Sequence, residues 1–491
     1  MDNSVIDAGR FLLIDLAYPA STTGSENYSS EPPLGPIALF SSLPARWRPQ
    51  VRFLDSTVMK QSEIDEAVTA RKADIVAISC TTFNYPNAIA LAEIAKRAGS
   101  CVVFGGIHIT YLRDIILSKM LEGQRAIDFL VAGYGEPSFA ALLAALATGN
   151  SVRDIPNLSF VQEGRIVVNS GATARYGKDP LDEPLDYSLI KFSLYSEKFQ
   201  RYGNLSSVRV ATSTFTQRGC AYAGNGKCVF CSIEQINPRR PAELFEKDVV
   251  SLVLEHSADH IRINDGDFTA NVRHMNAMAD AAERAFVRTG RRPSFYCFAR
   301  ADEIDLVRVA VLKRMNVVSV FIGYESGSNE MLRSMHKYTS REQNLHATEL
   351  LKLNGIDVIC GGLVLGVEGE SETTLSDTLD FVRKLKAIGN THALVATPMI
   401  PLPGSPSFSR LLEVLAREDH GMARFLATTD TFDVEVLTEI WNREMSKVPL
   451  PRLLAAAEEI AGQFRIGIRL IEFSHQKSHP NNRPHPTVAI R

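Results

Sequence analysis

Twice along its length the chain repeats one alternation: a short β-branched apolar run, a turn of small residues, then a longer stretch with apolar side chains at helical spacing. The first series has its apolar runs at residues 11–16, 51–55, 73–79, 101–104 and 128–131. Strands separated by helices lie parallel, because the crossover returns the chain to the same end of the sheet. Residues 1–150 are therefore expected to form an α/β domain with a doubly wound, Rossmann-like parallel sheet. A second series has runs at 208–212, 260–265, 294–300, 317–323, 357–365 and 392–397. Six βα units predict a partial parallel barrel over residues 207–405. The connecting residues 151–206 predict a hairpin turning at Glu163 and Gly164, then an extended Pro- and Asp-rich linker at 179–186. Residues 406–473 read as mostly helical. The polar tail 474–491 is expected to be disordered, and its His475, His479 and His485 are assigned no role.

Bulk composition narrows the function classes. A chain of 491 residues with 45% hydrophobic and 22% charged residues is ordinary for a globular protein of two to four domains. A net charge of -3 and the absence of a basic run argue against a nucleic-acid partner. Four of the seven cysteines, Cys80, Cys101, Cys297 and Cys360, are scattered, which is not a disulfide framework and fits a reducing, cytoplasmic location. The N-terminal residues are acidic where a signal peptide is basic, and no stretch has the apolar length of a membrane span.

The other three cysteines, Cys220, Cys228 and Cys231, fall within twelve residues, on a loop that leaves the first strand of the second series. Gly219, Gly224 and Gly226 let such a loop fold closely around a bound group. Three thiolates can hold an iron–sulfur cluster and leave one iron without a protein ligand. A structural zinc site short of its fourth ligand, or unligated thiols, are the alternatives. In the first domain, ligands of doubly wound sheets lie beyond the carboxyl ends of the strands. Those ends carry Ser79, Thr81, Thr82, Gly105, Gly106, His108, Gly133, Gly135 and Glu136, a concentration of small and polar residues that suits a cleft for a large ligand.

These pieces carry a family resemblance. Pro32 to Gly35, Leu54 with Asp55, Asp74 to Ser79, Gly105 to His108 and Gly133 to Glu136 resemble the cobalamin-binding domain of B12-dependent radical SAM enzymes. The second half resembles the radical SAM superfamily itself, and together the likeness covers about 400 residues of the 491. It implies that Cys220, Cys228 and Cys231 hold a 4Fe-4S cluster whose open iron binds S-adenosylmethionine (SAM). It further implies that Phe230 packs the adenine and that Asp265 and Asp267 approach the methionine end. Arg300 would face the carboxylate, Glu325 and Ser326 the ribose or amino group, and Gly366 the adenine. The strand-end residues of the first domain would bind cobalamin. The Asp-x-His-x-x-Gly signature of B12 mutases does not occur there, and His108 is followed by Ile-Thr-Tyr, so the resemblance implies a cobalt with its lower face free or water-bound.

The activity implied is reductive cleavage of SAM to methionine and a 5′-deoxyadenosyl radical, hydrogen abstraction from an unactivated carbon, and capture of a methyl group from methylcobalamin, which a second SAM regenerates. A C-methyltransferase on a small molecule, a peptide or a natural-product intermediate is the first expectation, with a flavodoxin or ferredoxin as electron donor. A rearrangement, cyclisation or oxidation without methyl transfer is the alternative, and a non-catalytic scaffold a further one. One departure stands out. The family's usual spacing is Cys-x3-Cys-x2-Cys, and this chain has Cys-x7-Cys-x2-Cys. A flexible loop absorbs four further residues at small entropic cost.

Overall fold

In the computed structural model, which describes residues 11–23, 31–169, 183–196, 209–222, 227–233, 237–464 and 466–467, the first sheet begins with β1 (Ile14–Tyr18), β2 (Val51–Asp55), β3 (Ile75–Ser79), β4 (Cys101–Gly105) and β5 (Phe129–Val131). These strands are parallel and stand in the order 2-1-3-4-5. Crossovers run through α1 (Leu34–Ser42), α2 (Gln61–Arg71), α3 (Tyr85–Arg97) and α4 (Ile107–Leu121), and α5 (Glu136–Thr148) follows β5. The order reverses between β1 and β3, and such a switch point leaves a crevice at the strand ends. Helix α4 goes beyond what the sequence predicted. Its apolar residues, from Ile109 and Leu112 to Ile116, Leu117 and Met120, are buried, while Ile107 and Leu121 are exposed, so no single apolar stripe marks it.

The expected hairpin is present as β6 (Leu158–Gln162) and β7 (Arg165–Val168), joined through Glu163 and Gly164 with φ of 52° and 69°. Two left-handed residues are what a two-residue hairpin needs to match the twist of its strands. Strand β6 pairs antiparallel with β5, so the hairpin extends the first sheet to Val168 rather than standing apart as part of a linker.

The second sheet is built in simple succession from β8 (Ala211–Thr214), β9 (His260–Ile263), β10 (Ser294–Ala299), β11 (Val317–Glu325), β12 (Asp357–Leu365), β13 (Ala393–Pro398) and β14 (Ile466–Gly467). All its pairings are parallel. A parallel sheet whose order never reverses has its crossovers on one face and curls into a barrel. Helices α6 (Ala242–Leu254), α7 (Val272–Thr289), α8 (Leu306–Arg314), α9 (Asn329–Ser334), α10 (Arg341–Leu353) and α11 (Glu372–Ile388) connect the strands. Ile261, Ile263, Phe295, Cys297, Val320 and Ile322 turn outward into the main core. The alternating positions, among them Arg262, Tyr296 and Phe321, face the other side of the sheet.

The expected helical region comprises α12 (Pro406–Glu418), α13 (His420–Thr428), α14 (Val434–Met445) and α15 (Leu450–Gly462), and the chain then returns to the barrel as β14 beside β13. Phe408, Leu411, Leu437 and Trp441 share one buried cluster with Tyr85, Leu91, Ile109 and Ile116. These helices thus cover one face of the first domain. Trp441 also donates its Nε1–H to the Gly366 carbonyl at 2.8 Å, which ties the same helices to the barrel. Among the described residues no helix is long and apolar enough to cross a membrane. Residues 1–10, Gly224, Gly226, the tail with its three histidines and part of the linker lie outside the described residues.

Candidate functional site

The carboxyl ends of the two sheets border one cavity of about 580 Å³. Ser79, Gly105, Gly106, Gly133, Gly135 and Glu136 line its first-domain side, and Ala17 at the end of β1 places it at the β1/β3 switch point. Gly106 shows why the small residues matter there. Its φ is +101°, and a Cβ would stand 2.6 Å from the Cys80 carbonyl oxygen, so only glycine allows this approach. Across the cavity lie Phe215, Arg218 and Gly219 at the start of the cysteine loop, with Asn264, Gly266 and Phe298 from the ends of β9 and β10.

The other three first-domain candidates do not line this cavity. Thr81 donates its N–H to Asn84 Oδ1 at 2.7 Å, capping the turn into α3. His108 lies in the first turn of α4, with Nδ1 3.2 Å from Thr82 Oγ1 and Nε2 2.9 Å from the Asp430 carbonyl oxygen. Its ring lies 4.1 Å from that of Tyr85. Burial pushes its pKa down to about 4, so the ring is neutral at pH 7. The carbonyl requires the proton on Nε2, and Nδ1 then accepts from the threonine. Tyr85 and Arg125 both bind the Asp430 carboxylate, at 2.9 and 2.6 Å. His108, steadied by Thr82, and Tyr85 therefore fasten the first domain to the turn between α13 and α14.

The cysteine loop is held at its root by Asp265. Its Oδ1 accepts the N–H groups of Thr216 and Gln217 at 2.7 and 3.2 Å, and the Thr216 hydroxyl donates to Oδ2. Burial pushes this carboxyl up to about 6 even with those donors in place. The opposite limb, from Cys228 to Cys231, is fixed by Val229, whose N–H reaches the Met335 carbonyl at 3.1 Å and whose carbonyl accepts from Ser407 N at 2.9 Å. The three thiols are partly buried. Among the described residues no three His, Cys, Asp or Glu side chains converge as ligands of a single ion, whereas a cubane cluster takes its cysteines at separate corners. Burial pushes all three thiols up, Cys228 to about 11, while Arg300 and Lys337 act in the opposite direction on Cys228. Three thiols on one loop, with the Lys337 and Arg300 cations beside Cys228, are a donor set that fits an iron–sulfur cluster.

A four-residue segment, 335–338, joins this loop to the other candidates. The carbonyl of His336 accepts from Tyr222 Oη at 2.9 Å, and that of Lys337 accepts from Arg300 at 2.7 Å. Arg300 lies 3.8 Å over the Tyr222 ring and pairs with Asp302 at 3.1 Å. Lys337 Nζ is 3.0 Å from Glu325 Oε1. Glu325 has a left-handed backbone, φ 62°, at a break in the β11–β12 register. A Cβ on Gly323 would overlap the Glu325 carboxyl, so that glycine makes the room into which the acid folds back. Asp267 sits close to Glu303, and burial raises both carboxyls, Glu303 to about 8, so one of the pair keeps its proton at neutral pH.

The remaining candidates have clear local roles. Phe230 packs with Met331, Met335 and Val367. Ser326 shares a 3.0 Å hydrogen bond with Thr378 and accepts from Ser328 N at 3.1 Å. Gly366, with φ 76°, donates its N–H to the Glu370 carboxylate and gives its carbonyl to Trp441. Sequence reasoning missed Tyr222, Lys337, Glu303 and Arg218. Only Lys337, a lone cation ten residues beyond the Glu-Ser-Gly turn, carried even a weak local signal.

Comparison with known proteins agrees with this arrangement. Residues 28–143 match the B12 binding domain, and residues 214–382 match the Radical SAM superfamily. An uncharacterized methyltransferase of Pyrococcus horikoshii is 26% identical over 75% of this chain and 76% of its own. The anaerobic magnesium-protoporphyrin IX monomethyl ester cyclase of Rubrivivax gelatinosus is 25% identical over 86% of this chain and 74% of its own. Among solved structures, the cobalamin-dependent SAM radical enzyme OxsB, with aqua-cobalamin and SAM bound, superposes with a TM-score of 0.64 at 18% identity. That match covers 83% of this chain, which spans 62% of OxsB's length, and at such identity it speaks to the fold. With both domains in order, the strand ends of each bordering one cavity, and three cysteines on the loop after β8, the chain belongs to the radical SAM enzymes that carry a B12-binding domain, whose cofactors are a 4Fe-4S cluster, SAM and cobalamin.

Proposed function

We propose that the protein is a cobalamin-dependent C-methyltransferase acting on a small molecule or peptide. The observation that carries this reading is the shared cavity. The first-domain strand ends, where the corrin would lie, open directly onto the cysteine loop and the ends of β9 and β10, with no layer of protein between them among the described residues. A methyl carrier seated there stands over the barrel mouth, where radical chemistry takes place.

When bound, the cluster supplies the electron that cleaves SAM, and cobalamin supplies the methyl group. The chain's own residues bind and orient. Cys220, Cys228 and Cys231 hold the cluster. Arg300, fixed by Tyr222, Asp302 and the Lys337 carbonyl, presents a cation to the SAM carboxylate, and Lys337 adds a second positive charge beside Glu325. Asp267 lies on the same side of the loop, and Phe230 gives an apolar surface for the adenine. The six first-domain residues at the cavity admit the corrin, with Gly106 and Gly105 allowing close backbone approach. Water is kept out by apolar walls such as Leu16, Val103, Phe215 and Phe298. A low-potential donor, a flavodoxin or ferredoxin, completes the system.

Similarity over 86% of the chain to a cyclase supports a second reading, in which the same cofactors act without methyl transfer. Protein reconstituted anaerobically with iron, sulfide and hydroxocobalamin, and supplied with a low-potential reductant, methyl-labelled SAM and a small-molecule extract, separates the two. The first reading expects a labelled product with 5′-deoxyadenosine and S-adenosylhomocysteine formed in equal amounts. An unlabelled product formed with 5′-deoxyadenosine alone supports the second.

A further inference from the structure

We propose that Arg218 is a strut that couples occupancy of the cobalamin cavity to the iron-bearing cysteine loop, a role that rests on assigning the shared cavity to cobalamin. Arg218 stands two residues before Cys220. Its guanidinium pairs with Glu136, the first residue of α5, and lies 4.6 Å over the ring of Tyr134 and 5.0 Å over that of Phe215. Tyr134 and Glu136 belong to the first domain, Phe215 and Arg218 to the barrel, and all four line the cavity. The pair is partly buried, with side-chain exposures of 14% and 6%, so solvent screens its charges only in part.

On the barrel side the backbone around Arg218 has little freedom. Thr216 and Gln217 are bound to Asp265, Arg218 N donates to the Pro238 carbonyl at 3.1 Å, and Gln217 bridges to Arg239. A Cβ on Gly266 would stand 2.7 Å from the Gly219 carbonyl oxygen, so the turn after β9 presses against the residue between Arg218 and Cys220. A displacement of Glu136 or Tyr134 by a ligand in the cavity is therefore passed through a short, clamped segment to the first cysteine. The coupling follows from geometry: one planar cation is held from both domains and borders the space the corrin would fill. By linkage, a cobalamin that steadies the loop must itself bind more tightly when the loop is steadied by its cluster.

The test uses the full chain reconstituted anaerobically with iron and sulfide, with hydroxocobalamin as the probe and absorbance as the readout. Iron release to a chelator is timed with and without saturating hydroxocobalamin, and the hydroxocobalamin Kd is measured with and without the cluster. In the unaltered protein, cobalamin is expected to slow iron release about tenfold, and the cluster to tighten cobalamin binding by about fivefold or more. Arg218→Gln is expected to cut both effects to about twofold or less. Glu136→Gln, which alters the other domain, is expected to weaken them likewise, and Arg218→Lys to fall between, because an ammonium lacks the planar face that rests on the two rings. Full protection retained in Arg218→Gln and Glu136→Gln overturns the strut. Binding of hydroxocobalamin without protection in the unaltered protein overturns it too and leaves the cavity assignment standing, whereas no binding at all overturns both.

Discussion

Lys337 Nζ lies 3.0 Å from Glu325 Oε1 in a buried ion pair, and the carbonyl of the same lysine accepts a 2.7 Å hydrogen bond from Arg300. One residue thus fixes the acid on β11 and the cation at the end of β10. Removing either charge leaves the other buried and alone. Lys337→Met or Glu325→Gln is expected to destabilise the protein by about 3–5 kcal/mol in urea unfolding. The double variant is expected to cost clearly less than the sum, because neither charge is then stranded. Additive losses would show that the pair does not act as a unit.

The Asp267–Glu303 pair predicts a pH dependence. Burial, then the neighbouring Asp267, raises Glu303 to about 8 in the folded chain, against an ordinary value of 4.5. The folded state therefore holds a proton that the unfolded state gives up. Its contribution to stability is complete below pH 4.5 and is lost as pH rises toward 8. Asp265 and Glu370, raised to about 6 and 7 by burial, act in the same sense over a narrower range. Urea midpoints are expected to fall between pH 5.5 and 8.5, and Glu303→Gln to flatten that fall by about 1–3 kcal/mol. A Glu303→Gln profile parallel to that of the unaltered protein would refute the shared proton.

Much of this was legible in the sequence. The strands of both sheets, except β14 in a stretch that reads as helical, follow from β-branched runs, and the turn at Glu163 and Gly164 follows from local chemistry. The cavity edge was visible because glycine and serine collect at successive strand ends. What stayed hidden was set by partners far away in the chain. Tyr85 meets Asp430 across 345 residues, and His108 meets it across 322. No local pattern distinguishes a histidine that glues domains together from one that faces a ligand. Lys337 was hidden for another reason: its partner is only 12 residues away, but a lysine after a short helix reads as solvated until Glu325 turns back, through a left-handed backbone, to meet it.

Asp265 is expected to matter through the loop it carries. Asp265→Ala removes the acceptor for the N–H groups of Thr216 and Gln217 and leaves both buried. The expected cost is about 2–4 kcal/mol. Iron bound after reconstitution is expected to fall with it, because Cys220 follows directly on that segment. Asp265→Asn keeps an acceptor oxygen and is expected to retain most of the iron. Equal iron in Asp265→Ala and the unaltered protein would show that the cradle does not position the first cysteine.

The four residues that lengthen the first cysteine interval can be tested by deleting 223–226, which restores the family spacing of three. The Cys228–Cys231 limb does not depend on them. Val229 is bonded on both sides, to Met335 and Ser407, and Ser232 Oγ donates to the Pro403 carbonyl at 3.1 Å. Lys227 Nζ reaches the Gly404 carbonyl at 3.2 Å and lies over the Tyr111 ring, which fastens the residue just before Cys228 to α4 and to the turn before α12. Cys220 is anchored independently, through Asp265 and the 216–219 segment. With both ends held, a shorter loop closes at little entropic cost. The deletion variant is therefore expected to reconstitute as much iron as the unaltered protein, while Cys228→Ala loses it. Loss of iron on deletion would mean that the cysteines stand too far apart for the family's spacing, and that the insertion is required to bring Cys220 to the cluster.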